Sequence, residues 1–351
     1  LLESEQISSI LRETRAKVVV TLKAFPKTDL AQKVAEAVRH APGVKHVLEV
    51  DLAGYLAPPK SWIVPFIRPK YHLHHAALVK NFNAECDKHP ADRLTFPDRT
   101  TDHVAAYFHT GGTTGMPKVA QHRAQGMIYN GWLGARLLFR ETDVVMCPLP
   151  LFHVFAAYPI LMSMLGSGAH VVFPTPAGYR GDGVMDNLWK LIDRWKVTYL
   201  VTVPTAISAL LQRPVNADIK TLRGAFSGSA PLPVDLFNRF EKITGVQIVE
   251  GYGLTECTCL VSVNPPDGNK KIGSVGLPFP HTDVRIVATN PDGSPRICGT
   301  DEVGEICVSN PGVYPGHTYT EAAKNKNLFW DTAYLRTGDL GRMDADGYLF
   351  I

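Results

Sequence analysis

The sequence has 351 residues, of which 45% are apolar and 20% are charged, and its formal net charge is +3. A chain of this length is expected to fold into two or three packed units, and this composition excludes a disordered, fibrous or disulfide-stapled protein. With 36 basic and 33 acidic residues, no surface-wide field is available to attract nucleic acid, so we expect no nucleic-acid partner.

The first fifty residues predict two consecutive helix–strand units. Apolar residues at helical spacing predict a helix over residues 4–15, with Ser4 as its cap, and a β-branched run predicts a strand over 18–22. A second helix is predicted with Thr28 as its cap, and Pro42 and Gly43 end it before a strand at 44–50. Two such units in succession predict a parallel sheet.

Residues 53–100 show little periodicity and contain six prolines. They also contain His72, His74 and His75. No acidic or thiol residue lies at metal-ligand spacing from these histidines, so we interpret them as part of a surface loop rather than a metal site.

Alternating helices and buried strands are predicted from residue 104 to about 260. The strands are expected at residues 104–108, 144–147, 170–173, 199–203 and 247–249. The most apolar stretch, 155–173, has nearly the length of a membrane span, but Gly166, Gly168 and His170 interrupt it. It predicts a buried helix that runs into a buried strand, and no membrane span.

After Asn264 the pattern changes to short strands separated by turns at 265–268, 291–293 and 344–347. We therefore predict an α/β fold of stacked, mostly parallel sheets flanked by helices, with α/β subdomains over 1–264 and a β-rich subdomain over 265–351. The chain begins without Met and ends at 348–351 in a strand-like sequence, so both termini are interpreted as cuts.

The cysteines predict neither zinc nor disulfides, because they show no C-x-x-C pair and no repeating spacing. They lie at positions 86, 147, 257, 259, 298 and 307. Charged residues occupy the first positions, where a secretory segment would need an apolar run. We expect reduced thiols in a cytoplasmic protein.

The segment from His109 to Lys118 predicts a polyphosphate site. Its glycines allow several backbone N–H groups to converge, its three threonines add hydroxyl donors, and Lys118 adds a positive charge. A P-loop is excluded because Lys118 lies between Pro117 and Val119, and a dinucleotide fingerprint fails because Glu256 replaces the third glycine of the later Gly251 motif. Taken alone, residues 109–118 also fit a flexible glycine turn.

This segment resembles the [ST]-[SG]-G-[ST]-T-G-x-P-K signature of the adenylate-forming superfamily. That superfamily includes acyl-CoA synthetases, peptide-synthetase adenylation domains and beetle luciferases. Five further segments recur in the family's order, at residues 148–153, 228–232, 250–256, 304–308 and 334–339. The chain departs from the signature at His109 and at Val119, and neither departure removes a donor. The resemblance implies the large domain of an AMP-forming acyl-CoA synthetase, with its start and the small C-terminal domain that follows the hinge both absent.

The resemblance also implies the role of each candidate site residue. Lys118, His153, Thr255 and Glu256 are expected to take part in catalysis, and Glu256 is expected to hold Mg²⁺. His153 is expected to gate and orient the acid, with Gly228 and Gly253 beside it. The residues expected to bind the nucleotide are Thr110, Gly111, Gly112, Thr113, Thr114, Gly115, Lys118, Ser229, Ala230, Pro231, Glu250, Gly251, Tyr252, Gly253, Thr255 and Asp339.

Within that set, Thr110 to Lys118 are expected at the β- and γ-phosphates. Tyr252 and residues 229–231 are expected at adenine, Thr255 at the α-phosphate and Asp339 at the ribose. Taken singly, Glu256 also fits a helix cap, His153 a satisfied core residue and Asp339 an ordinary turn.

The implied reaction uses ATP, Mg²⁺ and coenzyme A together with a small-molecule carboxylic acid. The acid attacks the α-phosphate to form acyl-AMP, and a thiol then displaces AMP. Because the small domain would supply a further lysine, this chain alone is expected to bind ATP weakly and to turn over poorly.

Two alternatives remain. An adenylation domain that loads a carrier-protein thiol would normally have an Asp in the acid pocket, whereas residues 150–165 contain no Asp or Glu, which favours a fatty or aryl acid. A catalytically silent nucleotide-binding homologue is disfavoured by the presence of Lys118, Glu256 and Asp339. The sequence leaves the chain length of the acid and the oligomeric state open.

Overall fold

The computed structural model describes residues 2–70, 76–110 and 116–351. They form two compact units. The first unit contains residues 1–101 and 109–119, and the second contains residues 102–108 and 120–351.

The first unit is built on a parallel three-stranded sheet, as the two helix–strand repeats predicted. Its strands are β1 (Val18–Leu22), β2 (His46–Val50) and β3 (Leu78–Asn81), in that order. Two helices, α1 (Ser4–Glu13) and α2 (Leu30–Arg39), pack against each other. The apolar stripe of α2 is buried in a small core with the chain that leads into β2.

Two capping predictions for this unit were wrong. Ser4 is the first residue of α1, and the cap is Glu3, whose backbone N–H donates to Oε1 of Gln6 at 2.9 Å. The cap of α2 is Asp29, although the Thr28 hydroxyl still accepts the N–H of Leu30 at 3.3 Å. In both cases the observed cap lies one position from the predicted residue.

Residues 51–101 contain elements that the sequence pattern did not predict. A 3₁₀ turn (Leu52–Tyr55) leads to α3 (Lys60–Ile67), and α4 (Phe82–Cys86) follows β3. Strand β3 has only two apolar residues and therefore shows no strand periodicity. The histidine cluster at 72–75 lies outside the described residues.

The strands β4 (Val104–Thr110) and β5 (Lys118–Arg123) pair with each other. A seven-stranded sheet forms the centre of the second unit, in the order β12-β11-β10-β9-β8-β6-β7. The strands are β6 (Val144–Met146), β7 (His170–Val172), β8 (Tyr199–Thr202), β9 (Gly224–Ser227), β10 (Gln247–Gly253), β11 (Leu260–Val263) and β12 (Leu277–Pro278). Strands β6 to β10 are parallel, and β11 and β12 join antiparallel at one edge.

Both faces of the parallel strands are buried. Leu200 and Ile248 point into one apolar cluster, whereas Val201 and Val249 point into another on the opposite face. This explains the continuous apolar runs in the sequence. The helices of this unit are α5 (Ala124–Leu133), α6 (Ser163–Ser167), α7 (Val184–Trp195), α8 (Pro204–Leu210) and α9 (Val234–Thr244), with π-helical turns at Gly134–Leu138 and Ala156–Met162.

The π-helical turn Ala156–Met162, α6 and β7 confirm the predicted helix and strand over 155–173. Their burial is partial, because Ile160 and Met164 are buried whereas Leu165 is 78% exposed and β7 lies at the sheet edge. Among the described residues, none of the helices combines the length and the apolar character needed to cross a bilayer.

The C-terminal part forms a six-stranded antiparallel sheet. Its strands are β13 (Asp283–Thr289), β14 (Pro295–Ile297), β15 (Gly304–Ser309), β16 (Phe329–Trp330), β17 (Tyr334–Met343) and β18 (Leu349–Phe350). The predicted α/β fold is confirmed. Strand β12 lies beyond Asn264 but joins the seven-stranded sheet, and the predicted boundary at 264 remains a prediction.

Candidate functional site

The predicted phosphate loop connects the paired strands β4 and β5. Thr110 is the last residue of β4, and Lys118 is the first residue of β5. The residues between them that carry most of the predicted donors, Gly111, Gly112, Thr113, Thr114 and Gly115, lie outside the described residues. Their roles therefore stay predictions.

Strand β10 contains the first half of the motif at residues 250–256, which is predicted to bind the nucleotide. Glu250, Gly251, Tyr252 and Gly253 belong to the strand, and Thr255 and Glu256 form a 3₁₀ turn (Thr255–Cys257) directly after it. A Cβ atom on Gly253 would lie 1.8 Å from the carbonyl oxygen of Cys259, so the close approach of β10 and β11 requires glycine there. The pairing shifts register at this position, and Thr255 and Glu256 follow the shift.

The residues predicted for adenine and for ribose are in direct contact. The hydroxyl of Tyr252 donates to Oδ2 of Asp339 at 2.5 Å, although the two residues are 87 positions apart in the chain. Burial of the phenol, followed by the hydrogen bond to Asp339, raises the pKa of Tyr252 above its ordinary value. Asp339 lies in β17, and its own N–H donates to the Thr337 hydroxyl at 3.1 Å.

The predicted magnesium ligand is held by a tyrosine that the sequence analysis missed. The hydroxyl of Tyr319 donates to Oε1 of Glu256 at 2.6 Å. Tyr319 also forms a β-bridge with Ala120 on β5, and the N–H of Gln121 donates to the carbonyl of Thr318 at 2.8 Å. Glu256 is thus connected through Tyr319 to Ala120 and Gln121 of β5. Nothing in the sequence around Tyr319 indicates this contact.

A buried histidine joins three segments of the site. His122 lies on β5 and is fully buried, with Nε2 2.7 Å from the carbonyl oxygen of Thr255 and Nδ1 2.9 Å from the hydroxyl of Tyr158. Its ring stacks on Phe108 with a centroid separation of 5.3 Å. Burial lowers the pKa of His122 to about 4, so the ring is neutral near pH 7. Because a carbonyl oxygen only accepts, Nε2 carries the hydrogen and Nδ1 accepts from Tyr158.

His122 was not among the residues predicted from the sequence. The available signal was a histidine four residues after Lys118, in a strand that is otherwise apolar on its buried face. Its partner Thr255 is 133 residues away in the chain, so this contact had no local signature.

Of the residues predicted for the acid, His153 lies in the turn before the π-helical turn, Gly228 follows β9, and Gly253 ends β10. His153 is exposed rather than a core residue, and its Nδ1 accepts the N–H of Phe155 at 3.3 Å. A Cβ atom on Gly228 would lie 3.4 Å from the carbonyl oxygen of Gly251 and 3.5 Å from the ring of Phe155. Gly228, Gly251 and the segment after His153 therefore lie against one another.

Residues 229–231, predicted to lie against adenine, form a turn whose following residue is hydrogen-bonded to Glu250. Ser229 is in the left-handed region at φ 69°, and residues 229–231 are exposed. Oε1 of the buried Glu250 carboxylate accepts the N–H of Leu232 at 2.9 Å. Burial raises the pKa of Glu250 to about 7. Its carboxylate faces the backbone of this turn, and a direct contact with the nucleotide remains a prediction.

Glu256 suits Mg²⁺ by its chemistry. Magnesium is commonly bound by one or two carboxylates together with substrate phosphates and water. Within the described part of the chain, no three His, Cys, Asp or Glu residues gather in a metal-binding group. A single carboxylate that works together with a phosphate fits.

Comparisons with known proteins agree with this architecture. Residues 1–318 match the family described as "AMP-binding enzyme". The chain is 34% identical over 354 residues to a marinolic acid–CoA ligase from Pseudoalteromonas sp. (strain SANK 73390), with 98% of the chain and 50% of that protein covered. It is 29% identical over 351 residues to a long-chain-fatty-acid–CoA ligase from Bacillus subtilis (strain 168), with 97% of the chain and 60% of that protein covered.

A solved long-chain-fatty-acid-CoA ligase from Archaeoglobus fulgidus has a similar fold. It superposes with a TM-score of 0.77 at 20% identity, and the match covers 99% of this chain and 64% of that one. The chain spans 50% to 60% of the length of the two curated relatives described above.

Proposed function

Because the chain belongs to the family of AMP-binding enzymes, we propose that the protein activates a carboxylic acid with ATP and then transfers the acyl group to coenzyme A. The first step yields acyl-AMP and pyrophosphate, and the second yields a thioester and AMP. Both curated relatives described above carry the name of a CoA ligase. This supports coenzyme A, rather than a carrier protein, as the acceptor.

The contact between Tyr252 and Asp339 is the observation that carries this proposal. It joins the end of β10 to β17 at the carboxyl ends of parallel strands, which is where α/β sheets usually bind nucleotides. An aromatic ring beside a carboxylate suits an adenosine, because the ring stacks on the base and the carboxylate accepts both ribose hydroxyls.

The remaining residues receive roles that fit their contacts. Thr255 and Glu256 follow Tyr252 directly, so a nucleotide held by Tyr252 would extend its phosphates toward them. Glu256 would hold Mg²⁺, which would supply positive charge against the phosphates. Lys118 and the threonines of the phosphate loop would add donors at the β- and γ-phosphates.

Adenylation requires only positioning and charge neutralisation by the protein. A carboxylate oxygen of the acid forms the new bond to the α-phosphorus, and the bond from that phosphorus to the bridging oxygen of pyrophosphate breaks. The thiol then adds to the acyl carbonyl, and AMP leaves with the electron pair of the anhydride bond. We assign the orientation of the acid to His153, beside Gly228 and Gly253.

The acid class follows from the relatives and from the pocket segment. We propose a long-chain or other largely apolar acid, since the two relatives are named for marinolic acid and for long-chain fatty acids. Residues 150–165 contain no acidic side chain to hold an amino group. All six cysteines are unpaired, which supports a reducing compartment such as the cytoplasm.

ATP–pyrophosphate exchange by the full-length protein tests this function. Exchange is measured with a panel of fatty, aryl and amino acids, and thioester formation is then followed with coenzyme A. We expect exchange with apolar acids and a thioester product. Exchange with amino acids alone would favour the carrier-loading alternative, and an absence of exchange with every acid would contradict the proposal.

A further inference from the structure

Helix α3 in the first unit exposes an unusual amount of apolar surface. Of its apolar side chains apart from Pro65, Val64 alone is buried. Trp62 is 67% exposed and Phe66 is 87% exposed, and Ile63 and Ile67 are exposed as well. Single exposed apolar residues are ordinary on a protein surface, but four within one eight-residue helix form a contiguous patch. Such a patch marks a surface that contacts something other than water.

The helix is fixed on the unit rather than loosely attached. It packs against the 3₁₀ turn Leu52–Tyr55, and the guanidinium of Arg68, directly after the helix, donates to Oδ1 of Asp51 at 2.6 Å. Asp51 in turn follows β2. The exposed side chains of α3 therefore lie on a helix that is fixed to the rest of the unit, as a docking surface requires.

The charged residues closest to α3 in the sequence are basic. Between Asp51 and Glu85 the sequence contains no acidic residue and four Lys or Arg residues. Arg68 and Lys80 pair with the acidic residues at the two limits of this stretch. Lys60 at the start of α3 and Lys70 beyond its end are exposed. An apolar, aromatic patch is thus flanked by basic side chains.

We propose that α3 docks on the surface of an anionic membrane. Tryptophan and phenylalanine favour the boundary between lipid headgroups and acyl chains, and lysines beside them pair with lipid phosphates. Eight residues extend only about 12 Å along the axis, too short to span a bilayer, so the helix lies in the plane of the surface. The exposed Lys60 and Lys70 favour a membrane over an apolar protein groove, because such a groove offers no phosphates to pair with them. This proposal is independent of the proposed function, because docking needs neither ATP nor an acid.

Co-sedimentation with vesicles tests the proposal. The 351-residue chain and the full-length protein are each mixed with vesicles of phosphatidylcholine alone or of phosphatidylcholine with phosphatidylglycerol. We expect binding to the anionic vesicles, and at least a tenfold loss in the double variant Trp62→Ala/Phe66→Ala. The control variant Leu94→Ala/Phe96→Ala removes two side chains that are each 65% exposed and lie outside α3, and it should bind as the parent does.

A second pair of variants measures the contribution of the two exposed lysines to vesicle binding. Lys60→Gln/Lys70→Gln should weaken binding by roughly twenty-fivefold, since each lysine near an anionic surface contributes about fivefold. The control Lys220→Gln/Lys242→Gln removes the same charge from the second unit. Added salt should reduce the difference between the lysine variant and the parent.

Three results would overturn the proposal. The first is vesicle binding that the α3 substitutions leave unchanged. The second is failure of the full-length protein to bind vesicles, which would mean that another segment of the polypeptide covers α3. The third is a self-association that Trp62→Ala/Phe66→Ala abolishes in the absence of vesicles, which would identify a second copy as the occupant. Circular dichroism verifies that each variant is folded.

Discussion

The end of strand β10 and the helix α3 are unusual in opposite ways. Around β10, polar groups are buried: the imidazole of His122 and the carboxylate of Glu250 have almost no exposed surface, and each has a backbone partner. Along α3, apolar groups such as Phe66 are exposed. A buried polar group needs specific hydrogen-bond partners, and removing a partner destabilises the fold. An exposed apolar side chain has few contacts within the protein and therefore contributes little to its folding stability. The first region should therefore respond strongly to substitution and the second weakly.

The largest effect is expected at the carboxylate assigned to Mg²⁺. Glu256→Gln should lower kcat by about a thousandfold, because the amide is a far weaker ligand for a hard cation. Steady-state kinetics across a magnesium titration measures this loss, and added magnesium should restore only part of it. The control Glu321→Gln changes an exposed glutamate nearby in sequence to Tyr319. Equal kcat values for the two variants would contradict the assignment of Glu256 as the magnesium ligand.

The next effect tests the close approach of β10 and β11. Gly253→Ala places a Cβ atom 1.8 Å from the carbonyl of Cys259, so the backbone must move, at a cost of about 2–4 kcal/mol in the free energy of unfolding. Gly299→Ala is the matched control, because no atom lies within 4 Å of the added carbon. Denaturant unfolding of both variants gives the comparison, and a neutral Gly253→Ala would contradict the described register shift.

His122→Ala should destabilise the protein by about 2–3 kcal/mol, because the Thr255 carbonyl and the Tyr158 hydroxyl lose their partner. It should also lower kcat by roughly tenfold through displacement of Thr255 and Glu256. His122→Gln keeps a donor for Thr255 and should recover part of both losses. A variant pair that differs in stability but not in kcat would limit His122 to a structural role.

Two buried groups should give opposite dependences of stability on pH. The pKa of His122 is lowered from 6.5 to about 4, so its contribution is present above pH 6.5 and is lost as the pH falls toward 4. The pKa of Glu250 is raised from 4.5 to about 7, so its contribution is present below pH 4.5 and is lost as the pH rises through 7.

Glu250→Gln keeps an acceptor for the N–H of Leu232 and removes the titration. It should be more stable than the parent at pH 8 by about 1–3 kcal/mol, and equal to it near pH 4.5. Thermal unfolding between these pH values measures the difference. A constant difference at every pH would show that the Glu250 carboxyl does not titrate in this window.

The smallest effect is expected at α3. Trp62→Ala/Phe66→Ala removes two exposed side chains and should change the free energy of unfolding by less than about 0.5 kcal/mol in solution. A destabilisation comparable to that of His122→Ala would mean that these side chains are buried, and the contrast between the two regions would disappear. Denaturant unfolding without vesicles makes this measurement.

The sequence predicted those features that have a local signature. The parallel sheet of the first unit followed from two repeated helix–strand patterns. Tyr252 and Asp339 were both named as candidate site residues because each lies in a recognisable segment, but the hydrogen bond between them was not predicted. His122 and Tyr319 were missed, since their partners lie 133 and 63 residues away and no local pattern encodes such a contact. Strand β3 was missed because pairing with β2, rather than apolar periodicity, defines it.

A crystal structure of the full-length protein with Mg²⁺ and a non-hydrolysable ATP analogue tests the central claim most directly. We predict that one nucleotide contacts three residues: Lys118 at the phosphates, Glu256 through the metal and Asp339 at the ribose hydroxyls. A nucleotide bound away from Tyr252 and Asp339, or bound there with Lys118 and Glu256 out of reach of its phosphates, would contradict the account.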